Sequence, residues 1–206
     1  MAQKSQPSNG KWVVLAIVAA IATALLVAVV VGGGDEGSGD VLAEENQSVV
    51  IEGTILEPLG DEAIDPMVGQ VAPTLNGATF DGSGVSVTPG DGQAYMVVFL
   101  AHWCPHCNRE VPRLIEWQAS GAVPSELQVV GVSTAVASDR PNYPPSQWAV
   151  DKGWTWPMMA DSTSKEAAEA YGVSGYPFFV IVGADGEVKV RVSGEVGIPA
   201  LTQIVS

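Results

Sequence analysis

Both cysteines of this 206-residue chain lie in one four-residue segment, Cys-Pro-His-Cys at positions 104–107, directly after an apolar run. The run from Ala94 to Leu100 predicts a buried strand, and apolar residues at helical spacing between Asn108 and Gln118 predict a helix. Cysteines at positions i and i+3 of a first helical turn share a face, with Cα atoms about 5 to 6 Å apart, which suits a disulfide. The segment therefore predicts a reactive thiol pair between a strand and a helix.

Cys104 is the predicted nucleophile, because a thiolate attacks a disulfide and the N-terminus of a helix stabilises that anion. Cys107, one turn further along, should be more buried and is predicted to resolve the mixed disulfide. His106 adds a hydrogen-bond donor and, when protonated, a positive charge near Cys104. Both effects favour the reduced form, and a pair stabilised in its reduced form is an oxidant. We expect no cofactor besides the redox-active disulfide Cys104–Cys107.

Two other interpretations of the cysteine pair stay open. The pair could be an inert structural disulfide in an exported protein. Imidazole and thiolate ligands could instead make a metal-binding module for copper or zinc, although structural zinc normally draws two separated pairs of ligands. The four side chains concerned are His102, Cys104, His106 and Cys107. We expect no metal at the site.

An uncharged run of 20 residues, Trp12 to Val31, predicts a transmembrane helix, because it would be about 30 Å long as a helix. Lysines precede the run and acidic residues follow it, so the positive-inside rule places residues 1–11 in the cytoplasm and the rest outside. We therefore expect a single-pass protein of the cell membrane with an extracytoplasmic domain. The alternative is a signal peptide that is cut near Ala43.

Residues 32–65 predict a flexible acidic linker, because they are rich in glycine and contain no Lys or Arg. The apolar residues between Val49 and Leu56 could instead form an edge strand of the following domain. The formal net charge of −14 argues against nucleic acid as a partner, since phosphate binding needs a basic patch. Acidity of this kind keeps an exported domain soluble.

The remaining chain alternates predicted strands and helices. A strand at residues 127–133 follows the cysteine helix, which makes a βαβ unit and implies a parallel pair of strands. The further predictions are a helix near 147–152, an extended segment at 154–158, a helix at 164–171, strands at 178–182 and 187–192 joined by a hairpin turn at 184–186, and a closing helix at 198–205.

Several segments together resemble the TlpA/ResA-like branch of the thioredoxin superfamily. The matching positions are Val68-Gly69-Gln70-Val71-Ala72-Pro73 with Gly82, Trp103 to Cys107, Glu110, Pro112, and Gly175-Tyr176-Pro177 before an apolar strand. The resemblance implies an α/β domain of thioredoxin-like fold over residues 66–206, with a central mixed sheet flanked by helices, behind the one N-terminal transmembrane helix. It also implies thiol–disulfide oxidoreductase activity.

The resemblance implies roles for four further residues. Pro177 would be cis and lie against the reactive disulfide, leaving the backbone before it free to pair with an extended substrate. Trp103 and Tyr176 would line the substrate groove. Glu110 matches an acid of TlpA/ResA-like proteins and could transfer protons to or from Cys107, or it could be an ordinary glutamate of an early helical turn. Thioredoxin itself carries a buried acid where this chain has Val98.

The dipeptide Pro105-His106 is similar to that of DsbA-type oxidants, whereas TlpA/ResA-like reductases usually have proline at the second place. We expect an extracytoplasmic oxidase that introduces or exchanges disulfides in exported proteins. The alternative is a TlpA/ResA-like reductase, for instance one that acts in cytochrome c maturation. The expected partners are exported thiols or disulfides and a membrane redox protein that recycles the site, because the chain has no second cysteine pair.

Overall fold

The computed structural model describes residues 43–205, which form strands and helices in mixed order. The strands are β1 (Val50–Glu52), β2 (Thr74–Ala78), β3 (Gly84–Val87), β4 (Ala94–Leu100), β5 (Leu127–Ser133), β6 (Met158–Ala160), β7 (Phe178–Val182) and β8 (Val188–Ser193). The helices are α1 (Pro105–Ala119), α2 (Pro145–Asp151), α3 (Glu166–Ala170) and α4 (Ile198–Ile204).

A five-stranded mixed sheet carries the cysteine helix, with the strand order β6-β5-β4-β7-β8. β4 is parallel to β5 and antiparallel to β7, so that Val97 lies opposite Val130 on one side and Val180 on the other. The β4-α1-β5 connection is the predicted βαβ unit. A second, antiparallel sheet, β1-β2-β3, contributes Leu75 and Val87 to one of the two cores. The thioredoxin-like α/β fold is therefore confirmed.

β4 is buried on both faces, which explains why its sequence is a continuous apolar run. Its odd-numbered residues, from Tyr95 to Phe99, belong to a core shared with the small sheet and α3. Its even-numbered residues, from Met96 to Leu100, belong to a core shared with α1. Because only residues 101–104 separate β4 from α1, this packing fixes the start of α1 at the carboxyl end of the strand.

The strands predicted at 94–100, 127–133 and 178–182 are confirmed with the same bounds. The cysteine helix begins at Pro105, directly after Cys104, in agreement with the prediction that the two cysteines lie at its first turn. Proline is favoured at the first helical position, because it lacks only an N–H that would be unpaired there. The strand predicted at 154–158 lies instead at β6, four residues later. Trp154 packs over Gly131 of β5, where a Cβ atom would come within 2.7 Å of the indole ring.

Residues 43–65 were predicted to complete the flexible linker, and this prediction is wrong for the part of the chain that the structure describes. β1 pairs antiparallel with β2, with Val50 opposite Asn76, so the alternative of an edge strand is correct. Leu56 is buried, and its N–H donates to the carbonyl oxygen of Ala170 at 2.8 Å. The acidic segment is thus held in place by strand pairing and by apolar contacts, which its amino-acid composition does not indicate.

Arg191 of β8 fixes the end of this segment. Its fully buried side chain donates to both carboxylate oxygens of Asp65, at 2.7 and 2.6 Å, and to the carbonyl oxygen of Glu57 at 2.7 Å. The hydrogen bond from Arg191 holds the pKa of Asp65 below its usual range. Asp65 is therefore the counter-ion of a buried cation and not part of a solvated tether.

The predicted cytoplasmic residues 1–11, the predicted transmembrane helix at 12–31 and the first part of the predicted linker lie outside the described residues. Within residues 43–205, no helix is long and apolar enough to cross a membrane. The transmembrane helix therefore stays a prediction.

We expect Asp65→Ala to lower the free energy of unfolding by about 3 kcal/mol, because it leaves the buried Arg191 guanidinium without a counter-ion. Urea unfolding of the full-length protein, followed by circular dichroism, measures the loss. Since the pKa of Asp65 is depressed in the folded state, its contribution is complete above the ordinary carboxyl pKa of about 4 and is lost as the pH falls through the folded-state pKa.

The matched control is Asp185→Ala, which removes an exposed carboxylate that pairs with Lys189 at the surface. We expect it to lower the free energy of unfolding much less than Asp65→Ala does, because exposed ion pairs contribute little. Equal losses of unfolding free energy in the two variants would show that the buried pair stabilises the fold no more than an exposed pair does.

Candidate active site

Cys104 is the N-cap residue of α1, with extended backbone angles of φ −73° and ψ 123°. The residue is 6% exposed, and its thiol donates to the carbonyl oxygen of Tyr176 at 3.4 Å. Cys107 lies one turn further along α1 and is completely buried. Both cysteines are free thiols. The structure therefore shows the reduced pair, in which Cys104 is the sulfur that a partner can reach.

The loop before β7 forms the opposite wall of the site. The peptide bond between Tyr176 and Pro177 is cis, which is the isomer that the resemblance implies. The Tyr176 ring packs edge-on against the Trp103 ring, with 6.3 Å between the ring centroids. Burial raises the pKa of the Tyr176 hydroxyl. Trp103 and Tyr176, which were predicted to line the substrate groove, and the cis Pro177 thus lie together beside Cys104.

Asn108 holds the cysteine loop in place, and sequence reasoning missed it. Its side-chain amide donates to the carbonyl oxygens of His102 and Cys104, each at 2.9 Å. Its side-chain oxygen accepts a hydrogen bond from the indole N–H of Trp148 at 3.0 Å. Because Trp148 belongs to α2, this network ties the start of α1 to a second helix. An asparagine in a helical pattern gives no local signal of such a role.

His102 is completely buried just before Cys104. Its Nδ1 lies 2.9 Å from the carbonyl oxygen of Pro141, and its Nε2 accepts the backbone N–H of Ala137 at 3.2 Å. A carbonyl can only accept, so Nδ1 carries the proton and the ring is neutral. Burial lowers the pKa of His102, in agreement with this assignment.

The geometry does not favour the metal-binding alternative. Both nitrogens of His102 are already bonded to backbone groups, so the imidazole would have to break one of these bonds to coordinate an ion. Within residues 43–205, no group of three or more His, Cys, Asp or Glu side chains is arranged to hold a metal. The four proposed ligands are neighbours in sequence, but they do not converge on one point.

Glu110 is completely buried, one turn after Cys107. Its Oε2 accepts a hydrogen bond from Arg113 at 3.0 Å, while its Oε1 has no hydrogen-bond partner among the described residues. Burial raises the pKa of Glu110. Burial also raises the pKa of Cys107, and the nearby charges of Cys104 and Glu110 raise it further. A buried carboxyl that interacts with a buried thiol is suited to exchanging a proton with it.

Glu195, in the loop between β8 and α4, gathers three basic side chains of α1. Its carboxylate accepts hydrogen bonds from Arg109 Nε at 3.0 Å and Arg113 Nη1 at 2.6 Å, and it lies 2.8 Å from Nδ1 of His106. The hydrogen bond from Arg109 is the largest of the effects that lower the pKa of Glu195 to about 2. A single carboxylate thus ties the outer face of α1 to the end of the central sheet.

His106 lies on the exposed outer face of α1, where its Nδ1 is 2.8 Å from Glu195 Oε1 and 2.8 Å from Arg109 Nη2. This one nitrogen either donates to the carboxylate or accepts from the guanidinium, and neither contact involves Cys104. An effect of His106 on the Cys104 thiolate must therefore act through space. The charge of Arg109 also interacts with Cys104. From sequence we predicted stabilisation by the helix N-terminus and by His106, and we missed Arg109 and its contact with Glu195, because Glu195 comes from a distant loop that carries no motif.

Comparisons with known proteins agree with this geometry. The AhpC/TSA family model matches residues 68–191. The thiol-disulfide oxidoreductase ResA of Geobacillus thermodenitrificans is 27% identical over 131 residues, which span 62% of this chain and 70% of that protein.

Solved structures share the fold. A thiol:disulfide interchange protein of the thioredoxin family from Chlorobium tepidum is 26% identical, with a TM-score of 0.55 over 66% of this chain and 94% of that chain. StoA from Bacillus subtilis is 19% identical, with a TM-score of 0.54 over 68% of this chain and 100% of that chain, and shows the same fold.

We expect Glu195→Gln to make Cys104 react with iodoacetamide about three times faster at neutral pH, because the variant leaves the positive charges of Arg109 and Arg113 less compensated near the thiolate. The reaction rate of the reduced full-length protein measures the effect. The matched control is Glu187→Gln, which removes the same charge from an ion pair with Lys189. A similar acceleration in the control would show that net charge, and not the Glu195 contact, sets the reactivity.

Proposed function

The chain belongs to the AhpC/TSA family and is a thiol–disulfide oxidoreductase of thioredoxin-like fold, and on this premise we propose that it oxidises dithiols of exported proteins. One observation carries the proposal. The Cys104 sulfur lies at the N-terminus of α1 and contacts the carbonyl group before the cis-proline, with Cys107 buried one turn behind it. This is the arrangement that an exchange reaction with an extended client needs.

Oxidation of a client proceeds in two displacements at sulfur. A client thiolate attacks Sγ of Cys104, the sulfur nearer to solvent, and the bond between Cys104 and Cys107 breaks, leaving Cys107 to take up a proton. The second client thiolate then attacks the client sulfur of this mixed disulfide and releases Cys104 as a thiolate. The client loses two electrons and forms a disulfide, and the Cys104/Cys107 pair gains them.

The groove positions the client for this attack. In the reduced site the carbonyl oxygen of Tyr176 accepts the Cys104 thiol, so it points at the reacting sulfur. A client backbone in extended form can donate its N–H to the same carbonyl group. Trp103, whose indole N–H is bound to the carbonyl oxygen of Ala135 at 2.8 Å, provides a rigid apolar wall.

The charges around Cys104 favour the oxidising direction. The released Cys104 thiolate lies at a helix N-terminus and within the field of Arg109, and both stabilise an anion. A site whose reduced form is stabilised in this way accepts electrons readily and is an oxidant.

Glu110 favours a second candidate, a reductase of the TlpA/ResA-like type. In that direction the Cys104 thiolate attacks a client disulfide, and Cys107 must lose its proton before it can resolve the intermediate. The pKa of Cys107 is raised by burial, so this proton needs an acceptor. The unpaired Oε1 of buried Glu110 is suited to accept it. Such a reductase could keep haem-attachment cysteines reduced.

We propose the same extracytoplasmic location for either direction, since the disulfides of client proteins form and persist in oxidising compartments. The apolar run Trp12 to Val31 would anchor the chain in the cell membrane. A membrane redox protein would return the Cys104/Cys107 pair to its working state, because no second cysteine pair is present in the sequence.

The reduction potential of the Cys104/Cys107 pair decides between oxidase and reductase. We expect a value of about −120 to −180 mV when the full-length protein is equilibrated with glutathione, because the reduced form is stabilised. A value of about −270 mV or lower would contradict the oxidase and select the reductase. The Cys107→Ser variant, which cannot form the internal disulfide, is the blank for the measurement.

Trapping of clients tests the assignment of the two cysteines. We expect Cys107→Ser to accumulate mixed disulfides with added disulfide-containing proteins, because the Cys104 thiolate attacks the client disulfide, displaces one client thiolate and lacks the sulfur that would release it. Cys104→Ser should accumulate about tenfold less, since Cys107 is completely buried and its thiolate is disfavoured. Non-reducing gel electrophoresis measures both. Equal trapping by the two variants would overturn the assignment.

A further inference from the structure

We propose, on the basis of the thiol–disulfide exchange described above, that the site prefers client cysteines with a carboxylate nearby, because Arg140 presents an unpaired cation on the rim of the groove. The client class that this chemistry recognises is an acidic peptide segment around a cysteine. The structural reasons are the position of Arg140 and its lack of a counter-ion, in contrast to the two arginines of α1.

Arg140 lies at the outer end of the groove wall. Its guanidinium carbon is 5.5 Å from the centre of the Trp103 ring, and that ring packs edge-on against Tyr176. Since the Tyr176 carbonyl oxygen contacts Cys104, the wall runs outward from the reactive sulfur through Tyr176 and Trp103 to Arg140. A guanidinium group that stacks on an indole keeps its N–H edge free for a planar carboxylate.

Arg140 is exposed, and none of the ion pairs formed by residues 43–205 includes it. Most other cations in this part of the chain have a carboxylate within 4.0 Å, as Lys165, Lys189 and Arg191 do. Lys152, which caps the end of α2, also lacks such a partner but takes no part in the groove wall. Arg140 is thus the unpaired cation nearest to the chemistry.

The two arginines of α1 differ from Arg140, because both have carboxylate partners. Arg109 and Arg113 share the carboxylate of Glu195, and Arg113 also contacts Glu110. Arg140 is therefore the cation of the groove that has no carboxylate partner among the described residues.

The chain as a whole has a net charge of −14, so its general field repels acidic clients and attracts basic ones. Arg140 is a local exception to this field. A client carboxylate close to the attacking cysteine would meet Arg140 at short range, where screening by salt is weakest. Charge pairs of this kind act mainly on encounter and on the choice of partner.

Two dithiol peptides of identical sequence, except for Glu or Gln beside the first cysteine, test the preference. Oxidised full-length protein is mixed with each peptide at low salt, and each rate is divided by the rate of that peptide with the neutral disulfide reagent dithiodipyridine. The division removes the effect of the neighbouring residue on the thiol itself. We expect the normalised rate of the Glu peptide to be about three to five times higher, because the free energy that an exposed ion pair contributes corresponds to a factor of this size.

Arg140→Gln should reduce the ratio of the normalised rates of the Glu and Gln peptides to about one, whereas the matched control Lys152→Gln should leave this ratio unchanged. A ratio near one with the unsubstituted protein, or a preference that survives Arg140→Gln, would overturn the preference while leaving the exchange reaction intact. Failure of the unsubstituted oxidised protein to react with either peptide would overturn the proposed function, and the preference with it.

Discussion

The antiparallel pairing of β4 with β7 is the constraint on which the active site depends. Phe99 lies opposite Phe178, so the end of β4 and the beginning of β7 meet at the same edge of the sheet. The loop that leads into α1 and the loop that contains the cis-proline therefore start side by side. Their contact, from Cys104 to Tyr176, is a consequence of strand register.

Much of this arrangement could be predicted from sequence, because its signals are local. β4 and β7 are unbroken apolar runs, and such runs indicate strands that are buried on both faces. The spacing of the two cysteines placed both on one turn of a helix. Their unequal burial followed from the direction of that helix into the core.

The parts that could not be predicted are contacts between segments that are distant in sequence. Glu195 is one of many glutamates in an acidic chain, and only the fold brings it to Arg109. Residues 43–65 looked like a solvated linker because composition counts charges and does not show their partners. Asp65 has a buried partner in Arg191, and no sequence pattern indicates that these two residues form an ion pair. Long-range charge pairing is therefore where sequence reasoning failed here.

The buried pair of Asp65 and Arg191 places the start of the folded domain earlier than the composition of the sequence suggests. A soluble fragment cut at residue 66, where the change in composition suggests a boundary, would discard β1 and the carboxylate that neutralises Arg191. It would also expose the edge of β2, whose unpaired backbone groups invite association with other chains. The smallest fragment that keeps the Asp65–Arg191 ion pair and the pairing of β1 with β2 therefore begins before Val49, among residues whose composition resembles that of a flexible linker.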